Sequence, residues 1–197
     1  MIPYVTDTSR WEKWQRKYRL GIILIMPPER VGKWINPLRA KHAPYTFAIC
    51  PAHITLSDPL SLELTPEREI EIRHILAAIQ PFALHFGRPH ASPERGGVAC
   101  PIGPREPFEA LRSALHTASV FVGEPYYTRQ IPPHMTIAEF ISIEESLKLC
   151  AQLQEIAPSG SFVCDRLEFI VPDAGFHFQK AKTFLLGVPA DSQRLVQ

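Results

Sequence analysis

The chain has 197 residues, 45% of them hydrophobic and 21% charged, a composition that excludes an intrinsically disordered protein and suits a single domain. Lys and Arg number 21 against 20 Asp and Glu, and this net charge of +1 argues against a protein that coats long nucleic acid. The longest apolar stretch, residues 20–26, is far shorter than the roughly 20 residues that cross a bilayer, and residues 1–10 lack the apolar core of a signal peptide. We therefore expect a cytoplasmic protein that has no membrane partner.

Four cysteines are spread along the chain without a C-x-x-C pair and without the ligand spacing of a zinc finger. In a reducing compartment such residues are typically buried free thiols rather than disulfides. The sequence thus predicts neither a structural metal nor a disulfide framework.

The N-terminal residues 9–18 are predicted to form a helix, because Ser9 opens a segment with the spacing of a capping box. Trp11, Trp14 and Tyr18 would share one face of this helix, and basic residues would occupy the other. Such a helix could bind a membrane surface or RNA. Packing of its aromatic face onto the body of the protein is the favoured interpretation.

Helices and strands alternate through the rest of the chain. The predicted order in the first half is strand 21–26, helix 29–42, strand-like segment 45–56, helix 66–80 and strands 82–86 and 98–102. The predicted order in the second half is helix 108–119, strand 136–140, helix 143–156 and strands 162–171 and 183–188. Thr65 and Ser142 are the expected N-caps of the helices that begin after them.

One four-residue signature occurs in both halves, as His53-Ile-Thr-Leu and as His134-Met-Thr-Ile. Each copy follows a proline, precedes a capped helix, and has a helix upstream and two strands downstream at nearly the same distances. A single His-x-Thr pattern arises easily by chance, whereas two copies in matching surroundings indicate a duplication. The predicted fold is α+β, with two pseudo-symmetric lobes that form one domain over residues 1–197 and share a central cleft.

The His and Thr of each signature point to the same side of their strand, because residues i and i+2 share a face. If the two lobes face each other, the four side chains of His53, Thr55, His134 and Thr136 converge on one ligand atom. Two imidazoles suit an in-line displacement at phosphorus, since one can take the proton of the attacking oxygen while the other protonates the leaving oxygen. The threonine hydroxyls can donate to the non-bridging phosphoryl oxygens, and this chemistry requires no metal or other cofactor.

These residues resemble the paired signatures of the 2H phosphoesterases, the superfamily of the 2′,5′ RNA ligase-like proteins and the 2′,3′-cyclic phosphodiesterases. The resemblance covers residues 19–188 and leaves out the segment 9–18. It implies a two-lobed fold in which antiparallel sheets line a central groove and helices lie on the outside. It also implies metal-independent hydrolysis of cyclic or 2′,5′ phosphodiesters, with His53 and His134 as acid and base.

The residues after the two signatures depart from that family. Many members have a basic residue there, whereas Asp58 and Glu139 are acidic. The positive charge that would hold a phosphate must therefore come from elsewhere in the chain. Arg129 is the first candidate for substrate binding, and Lys182 is a weaker one.

Aromatic residues near the groove could stack on a nucleobase, and Tyr127 and Phe178 are the candidates for this role. Packing in the core or at the rim is the alternative explanation for each of them. We expect an enzyme, a phosphodiesterase that acts on a nucleotide 2′,3′-cyclic phosphate or on a short, 2′,5′-linked RNA end.

Two alternative functions remain open. The same residues could support the reverse reaction, 2′,5′ RNA ligation, or the chain could be a binding module that recognises nucleotides or RNA ends without turnover. The sequence does not indicate which histidine is the base, and nothing in it requires more than a monomer.

Overall fold

Short helices and short strands alternate in a computed structural model of the chain, which describes residues 2–92, 94, 96–123, 131–190 and 192. The helices are α1 (Glu29–His42), α2 (Pro44–Ile49), α3 (Pro66–Ala77), α4 (Arg105–Leu115) and α5 (Ile143–Gln154), and one turn of 3₁₀ helix spans Arg16–Tyr18. The strands are β1 (Ile22–Ile25), β2 (Ile54–Thr55), β3 (Phe82–Phe86), β4 (His90–Ala91), β5 (Val98–Gly103), β6 (His134–Ala138), β7 (Gly160–Cys164), β8 (Arg166–Pro172) and β9 (Phe178–Leu185).

The strands of the described residues pair antiparallel throughout, in the order β7-β3-β5-β6-β2-β1-β8-β9, with β4 beside β5. This order is symmetric about the central pair β6–β2. On one side of the pair lies β5, which leads into α4, and β3 follows; on the other side lies β1, which leads into α1, and β8 follows. Each half of the chain therefore places one strand in the central pair and sends a later strand to the far side of the sheet. The α+β class and the antiparallel sheet expected from the sequence are confirmed.

A large apolar core joins one face of the sheet to helices α1, α3, α4 and α5. Ile54 and Met135, the second residues of the two signatures, are fully buried in this core. Burying a side chain of this size stabilises the fold by about 2 kcal/mol. Because successive residues of a strand alternate between faces, the His and Thr of each signature are directed to the opposite face, away from the core.

Two helix starts agree with the sequence analysis. The Thr65 hydroxyl accepts a hydrogen bond from the backbone N–H of Arg68 at 3.4 Å, where α3 begins. At the start of α5 the Ser142 hydroxyl accepts from the Glu145 N–H at 3.1 Å, while the Glu145 carboxylate accepts from the Ser142 N–H at 2.9 Å. These are the side-chain and backbone bonds of a complete capping box, so the helix termini are determined locally.

The predicted helix over residues 9–18 is wrong, because only Arg16–Tyr18 are helical and the residues before them form turns. Ser9 does not cap a helix; its N–H donates instead to the Asp7 carboxylate at 2.9 Å. The three aromatic residues of the segment nevertheless pack around Phe176, with ring centroids 5.1 to 6.2 Å away. Such a short segment gains too little from helical hydrogen bonds to offset helix nucleation, and ring contacts to the body shape it instead.

Three strand predictions also change. The strand-like segment 45–56 divides into α2 and the two-residue β2, because Pro44 suits the first position of a helix. The predicted strand 162–171 is two strands, β7 and β8, separated at Asp165 and paired with different neighbours. Strand β9 begins at Phe178, five residues before the predicted start.

The four cysteines are free, and Cys50, Cys100 and Cys164 are buried as expected, whereas Cys150 is partly exposed. Burial raises the pKa of each of the three buried thiols to about 12, which keeps them neutral. In the described part of the chain, no group of three or more His, Cys, Asp or Glu side chains could hold a metal ion. No helix there is both long enough and apolar enough to cross a bilayer.

Candidate active site

The two signature strands lie side by side at the centre of the sheet. Ile54 and Met135, the second residues of the two signatures, pair with each other in antiparallel register. Continuing that register by one residue places His53 opposite Thr136 and, at the other end, Thr55 opposite His134. The two histidines are then diagonal neighbours, whose Cβ atoms lie about 7 Å apart in such pairs, and this separation leaves space for a phosphoryl group between the imidazoles.

The same hydrogen bond orients both imidazole rings. Nδ1 of His53 lies 2.7 Å from the Pro51 carbonyl oxygen, and Nδ1 of His134 lies 2.9 Å from the Pro132 carbonyl oxygen. A carbonyl oxygen can only accept, so Nδ1 carries a proton in each ring and donates it. Nε2 is consequently the nitrogen that remains to exchange a proton with a ligand.

A cleft of about 470 Å³ opens over the two strands. All four signature side chains, those of His53, Thr55, His134 and Thr136, line it, and each residue is half-buried. The volume falls within the range of ligand pockets, which is roughly 300–1,000 Å³. Aliphatic side chains of β1 and β8 form an apolar part of the lining beside these polar groups, namely Ile22, Leu24 and Ile170.

The charge state of one histidine is well defined. Burial lowers the pKa of His53 to about 4, and the positive charge of Arg39 acts in the same direction. The hydrogen bond to Pro51 and the negative charge of Glu139 oppose this shift without cancelling it. His53 is therefore neutral at pH 7, and its Nε2 can accept a proton.

Two buried arginines that the sequence analysis did not single out line the cleft, Arg39 of α1 and Arg112 of α4. Their exposed fractions are only 3% and 5%. Each continues an apolar stripe of its helix, since Arg39 follows Val31 and Ile35 at helical spacing and Arg112 follows Phe108. An arginine on an apolar stripe is a sequence signal for a buried, hydrogen-bonded guanidinium, and it could have indicated both residues.

An aromatic wall bounds the cleft near the N-terminal segment. It consists of Trp14, Tyr18, Phe176 and Phe178, whose rings meet edge to face with centroids 5.3 to 6.3 Å apart. Phe176 is buried, whereas Trp14 is 42% exposed and so offers a free surface. Lys17 also lines the cleft, with Nζ 5.2 Å from the centroid of the Tyr18 ring.

The predicted substrate-binding residues have different outcomes. Phe178 lines the cleft as part of the aromatic wall. Lys182 does not line it, and we correct this assignment, because its Nζ lies 3.2 Å from the Glu69 carboxylate of α3. The pairing of β9 with β8 shifts register between Lys180 and Lys182, so Lys182 pairs with the buried Phe169 and lies on the face of the sheet opposite Phe178. Tyr127 and Arg129 lie outside the described residues.

The sequence model of the 2′-5′ RNA ligase superfamily matches residues 27–176, and the chain belongs to this superfamily. The resemblance to the 2H phosphoesterases is thereby confirmed. The segment that carries Trp14, Lys17 and Tyr18 precedes the matched region. No curated protein matches the chain.

Two solved structures share the fold. Escherichia coli LigT complexed with NADP+ is 19% identical, with a TM-score of 0.51, and the match covers 84% of this chain and 95% of LigT. The protein TT0787 of Thermus thermophilus is 16% identical, with a TM-score of 0.56, and the match covers 84% of this chain and 97% of that protein. At this level of identity the likeness establishes the architecture alone.

Proposed function

We propose that this chain is a phosphodiesterase that hydrolyses a nucleotide 2′,3′-cyclic phosphate or a 2′,5′-linked nucleotide or RNA end by two-histidine acid–base catalysis. One observation carries the proposal: two imidazoles with tethered Nδ1 atoms share a nucleotide-sized cleft with two threonine hydroxyls. Membership of the 2′-5′ RNA ligase superfamily supports the same chemistry. The complex of LigT with NADP+ supports a nucleotide as the class of ligand.

The two histidines take opposite roles in this reaction. His53, neutral at pH 7, removes a proton through Nε2 from the water molecule that attacks phosphorus. His134 donates the proton on its Nε2 to the ribose oxygen that leaves as the P–O bond breaks. One proton is taken and one is given, so a cyclic phosphate becomes a monoester and the pair regains its starting state by exchange with solvent.

The threonines and arginines stabilise the negative charge on the phosphoryl group in this reaction. The hydroxyls of Thr55 and Thr136 can donate to the non-bridging oxygens, where negative charge must be held in the transition state. The guanidinium groups of Arg39 and Arg112 supply a positive potential in the same cleft without leaving their buried positions.

The aromatic wall supports a substrate that carries a nucleobase. Every base has an apolar face, and its packing on an aromatic side chain contributes about 1–3 kcal/mol. Phe178 takes the role expected from the sequence, together with Trp14 and Tyr18. Lys17 adds a positive charge beside the wall, which suits a ligand that combines a base with phosphate groups.

Substitution of the histidines tests the proposal. We expect His53→Ala and His134→Ala each to lower kcat/KM for adenosine 2′,3′-cyclic phosphate by about 10²–10⁴-fold, because each removes one proton-transfer step. His74→Ala, an exposed residue of α3 away from the cleft, is the matched control and should retain activity. Full activity of either cleft variant, or loss of the wild-type rate in EDTA, would contradict the proposal.

Two further assays separate the alternatives. RNA half-molecules with 2′,3′-cyclic phosphate and 5′-hydroxyl ends distinguish ligation from hydrolysis, since only ligation yields a longer product. Tight product binding without turnover across a panel of cyclic nucleotides would instead indicate a binding module. The presence of both histidines and both threonines in one cleft favours an enzyme.

A further inference from the structure

A second repeated pattern accompanies the two signatures. An acidic residue stands five positions after each histidine, Asp58 in the first half and Glu139 in the second. A buried arginine from the helix that precedes one signature contacts the other signature. Arg39 of α1 thus reaches the second signature, and Arg112 of α4 reaches the first.

Arg39 connects the two signatures through four hydrogen bonds. Its Nη1 donates to the carbonyl oxygen of Thr136 at 3.3 Å, and its Nε donates to that of Cys50 at 3.2 Å. Its Nη2 donates to the Glu139 carboxylate at 3.0 Å and to the carbonyl oxygen of Thr46 at 3.5 Å. The guanidinium therefore joins the backbone ahead of the first signature to the backbone of the second.

Arg112 makes the corresponding contacts on the first signature. Its Nη2 donates to the carbonyl oxygen of Thr55 at 3.4 Å, and its Nε donates to that of Leu56 at 3.2 Å. Its Nη1 lies 3.2 Å from the Glu109 carboxylate, and its guanidinium stacks 4.6 Å from the centroid of the Phe108 ring. Both signature threonines thus have a cationic donor on their own carbonyl group.

Acidic side chains make these buried charges tolerable. A buried guanidinium is costly unless it is paired and hydrogen-bonded. Glu139 pairs with Arg39, and Glu109 pairs with Arg112. Burial lowers the pKa of Arg112, and the negative charges of Glu109 and Asp58 counteract that shift. Glu139, one of the two acidic residues after the signatures, therefore neutralises a buried arginine of the cleft.

The two halves differ in what faces the cleft. The Glu139 side chain is 34% exposed and lines the cleft, whereas the Asp58 side chain is 4% exposed and lies against His116. Three charged or titratable groups act on His53: Arg39 from α1, Glu139 from the residues after β6, and His134 from β6 itself. The neighbouring Cys50 thiol stays neutral, because burial raises its pKa to about 12.

We propose that Arg39 and Arg112 are equivalent positioning residues, each holding the signature of the other half, and that the Arg39–Glu139 pair sets the charge of His53. A charged donor on a threonine carbonyl fixes the peptide plane and thereby the direction of the adjacent hydroxyl and imidazole. The pseudo-symmetry supplies two equivalent strands. Of the two acidic residues that follow the signatures, Glu139 lines the cleft and Asp58 does not, so the two histidines have different charged neighbours. The kinetic part of this inference rests on the proposed function.

The charge at His53 can be measured without turnover, by NMR titration of the histidine Cε1–H resonances, with His53 assigned from a His53→Asn sample. Glu139→Gln removes the negative charge that favours protonated His53, so its pKa should fall by roughly half a unit or more. Glu109→Gln, which removes the partner of the other arginine, should leave the His53 titration unchanged. Equal titrations in the two variants would overturn the charge assignment.

Kinetics test the positioning role. Arg112→Lys keeps the positive charge but cannot bond both carbonyl oxygens, so kcat should fall by about 10–100-fold while KM changes little. Arg73→Lys is the matched control, because Arg73 is also a buried arginine that pairs with a helix carboxylate, donates to a strand carbonyl and stacks on a phenylalanine, but it lies outside the cleft. Equal losses of kcat in both variants would show a merely structural role and overturn the inference.

The two experiments also separate this inference from the proposed function. A wild-type protein that turns over no phosphodiester refutes the proposed function and, with it, the kinetic role of Arg112. The NMR titration still decides whether Arg39 and Glu139 set the charge of His53. Circular dichroism and urea unfolding identify any variant that fails to fold, and Arg39→Lys then replaces Arg112→Lys as the positioning variant.

Discussion

His53 and His134 make the same hydrogen bond to a proline carbonyl two residues earlier, yet their electrostatic surroundings differ. Burial and the charge of Arg39 hold the pKa of His53 near 4, below the 6.5 of an ordinary histidine. Between these two values the unfolded chain binds a proton that the folded chain does not. Stability therefore falls as the pH drops through this window and is fully retained above it.

This proton difference gives a measurable prediction. When the pH is lowered from 7 to 5, the free energy of unfolding should decrease by about 2 kcal/mol more in the wild-type protein than in the His53→Asn variant. Urea unfolding at the two pH values measures both quantities. Parallel losses in the two proteins would mean that His53 titrates normally in the folded state.

The same residues show what a single sequence reveals about a site. The period of a strand is enough to place His53 and Thr55 on one face, and repetition of the signature identifies their partners. Arg39 and Arg112 carry no comparable motif, because they contact the signatures through backbone carbonyl groups, which every residue has. Only the apolar stripes of their helices indicate that they are buried.

Among the secondary-structure elements, the N-terminal segment depends most on its surroundings. It forms one 3₁₀ turn instead of a helix, and Trp11, Trp14 and Tyr18 are held by contacts to Phe176. The segment precedes the region matched by the superfamily model. Its aromatic side chains at the cleft are therefore features of this chain beyond the matched region.

Removal of one ring from this segment tests its role. Trp14→Ala should raise KM for adenosine 2′,3′-cyclic phosphate by about 5–150-fold, because base packing contributes about 1–3 kcal/mol. The same variant should leave the KM for glycerol 1,2-cyclic phosphate, which has no base, almost unchanged. Trp34→Ala is the control, since Trp34 is 60% exposed on α1 and does not line the cleft. A similar change for both substrates would exclude a base-binding role.

Other elements show where local preference gives way to tertiary context. The start of α5 is coded by its own capping box, and it appears where the sequence predicts it. The segment 45–56 contains residues typical of strands, but α2 forms in its first part. The Thr46 carbonyl oxygen accepts a hydrogen bond from Arg39, and Thr46 and Ile49 line the cleft. Short apolar segments of this kind have weak local preferences, and their partners decide their structure.

At the level of the entire fold, the charge distribution limits the ligand. The net charge is +1, and many described basic side chains pair with carboxylates, as Lys33 does with Glu29 and Arg166 with Asp165. We therefore expect the affinity for a 20-nucleotide RNA with a cyclic phosphate end to depend weakly on salt, with a log–log slope shallower than about −2. Adenosine 2′,3′-cyclic phosphate is the reference ligand. A slope of about −4 or steeper in a binding titration would instead indicate a general RNA-binding surface.

The repeated signature, its flanking helices and its caps are short-range properties of the chain, so they could be recognised without coordinates. Their consequence, two histidines and two threonines on one face, follows from strand periodicity. The pairing of β2 with β6, the exchange of Arg39 and Arg112 between the halves, and the packing of the N-terminal rings on Phe176 join residues far apart in sequence. Such contacts arise only when the folded chain excludes water and closes the sheet, and for that reason no local pattern could have specified them.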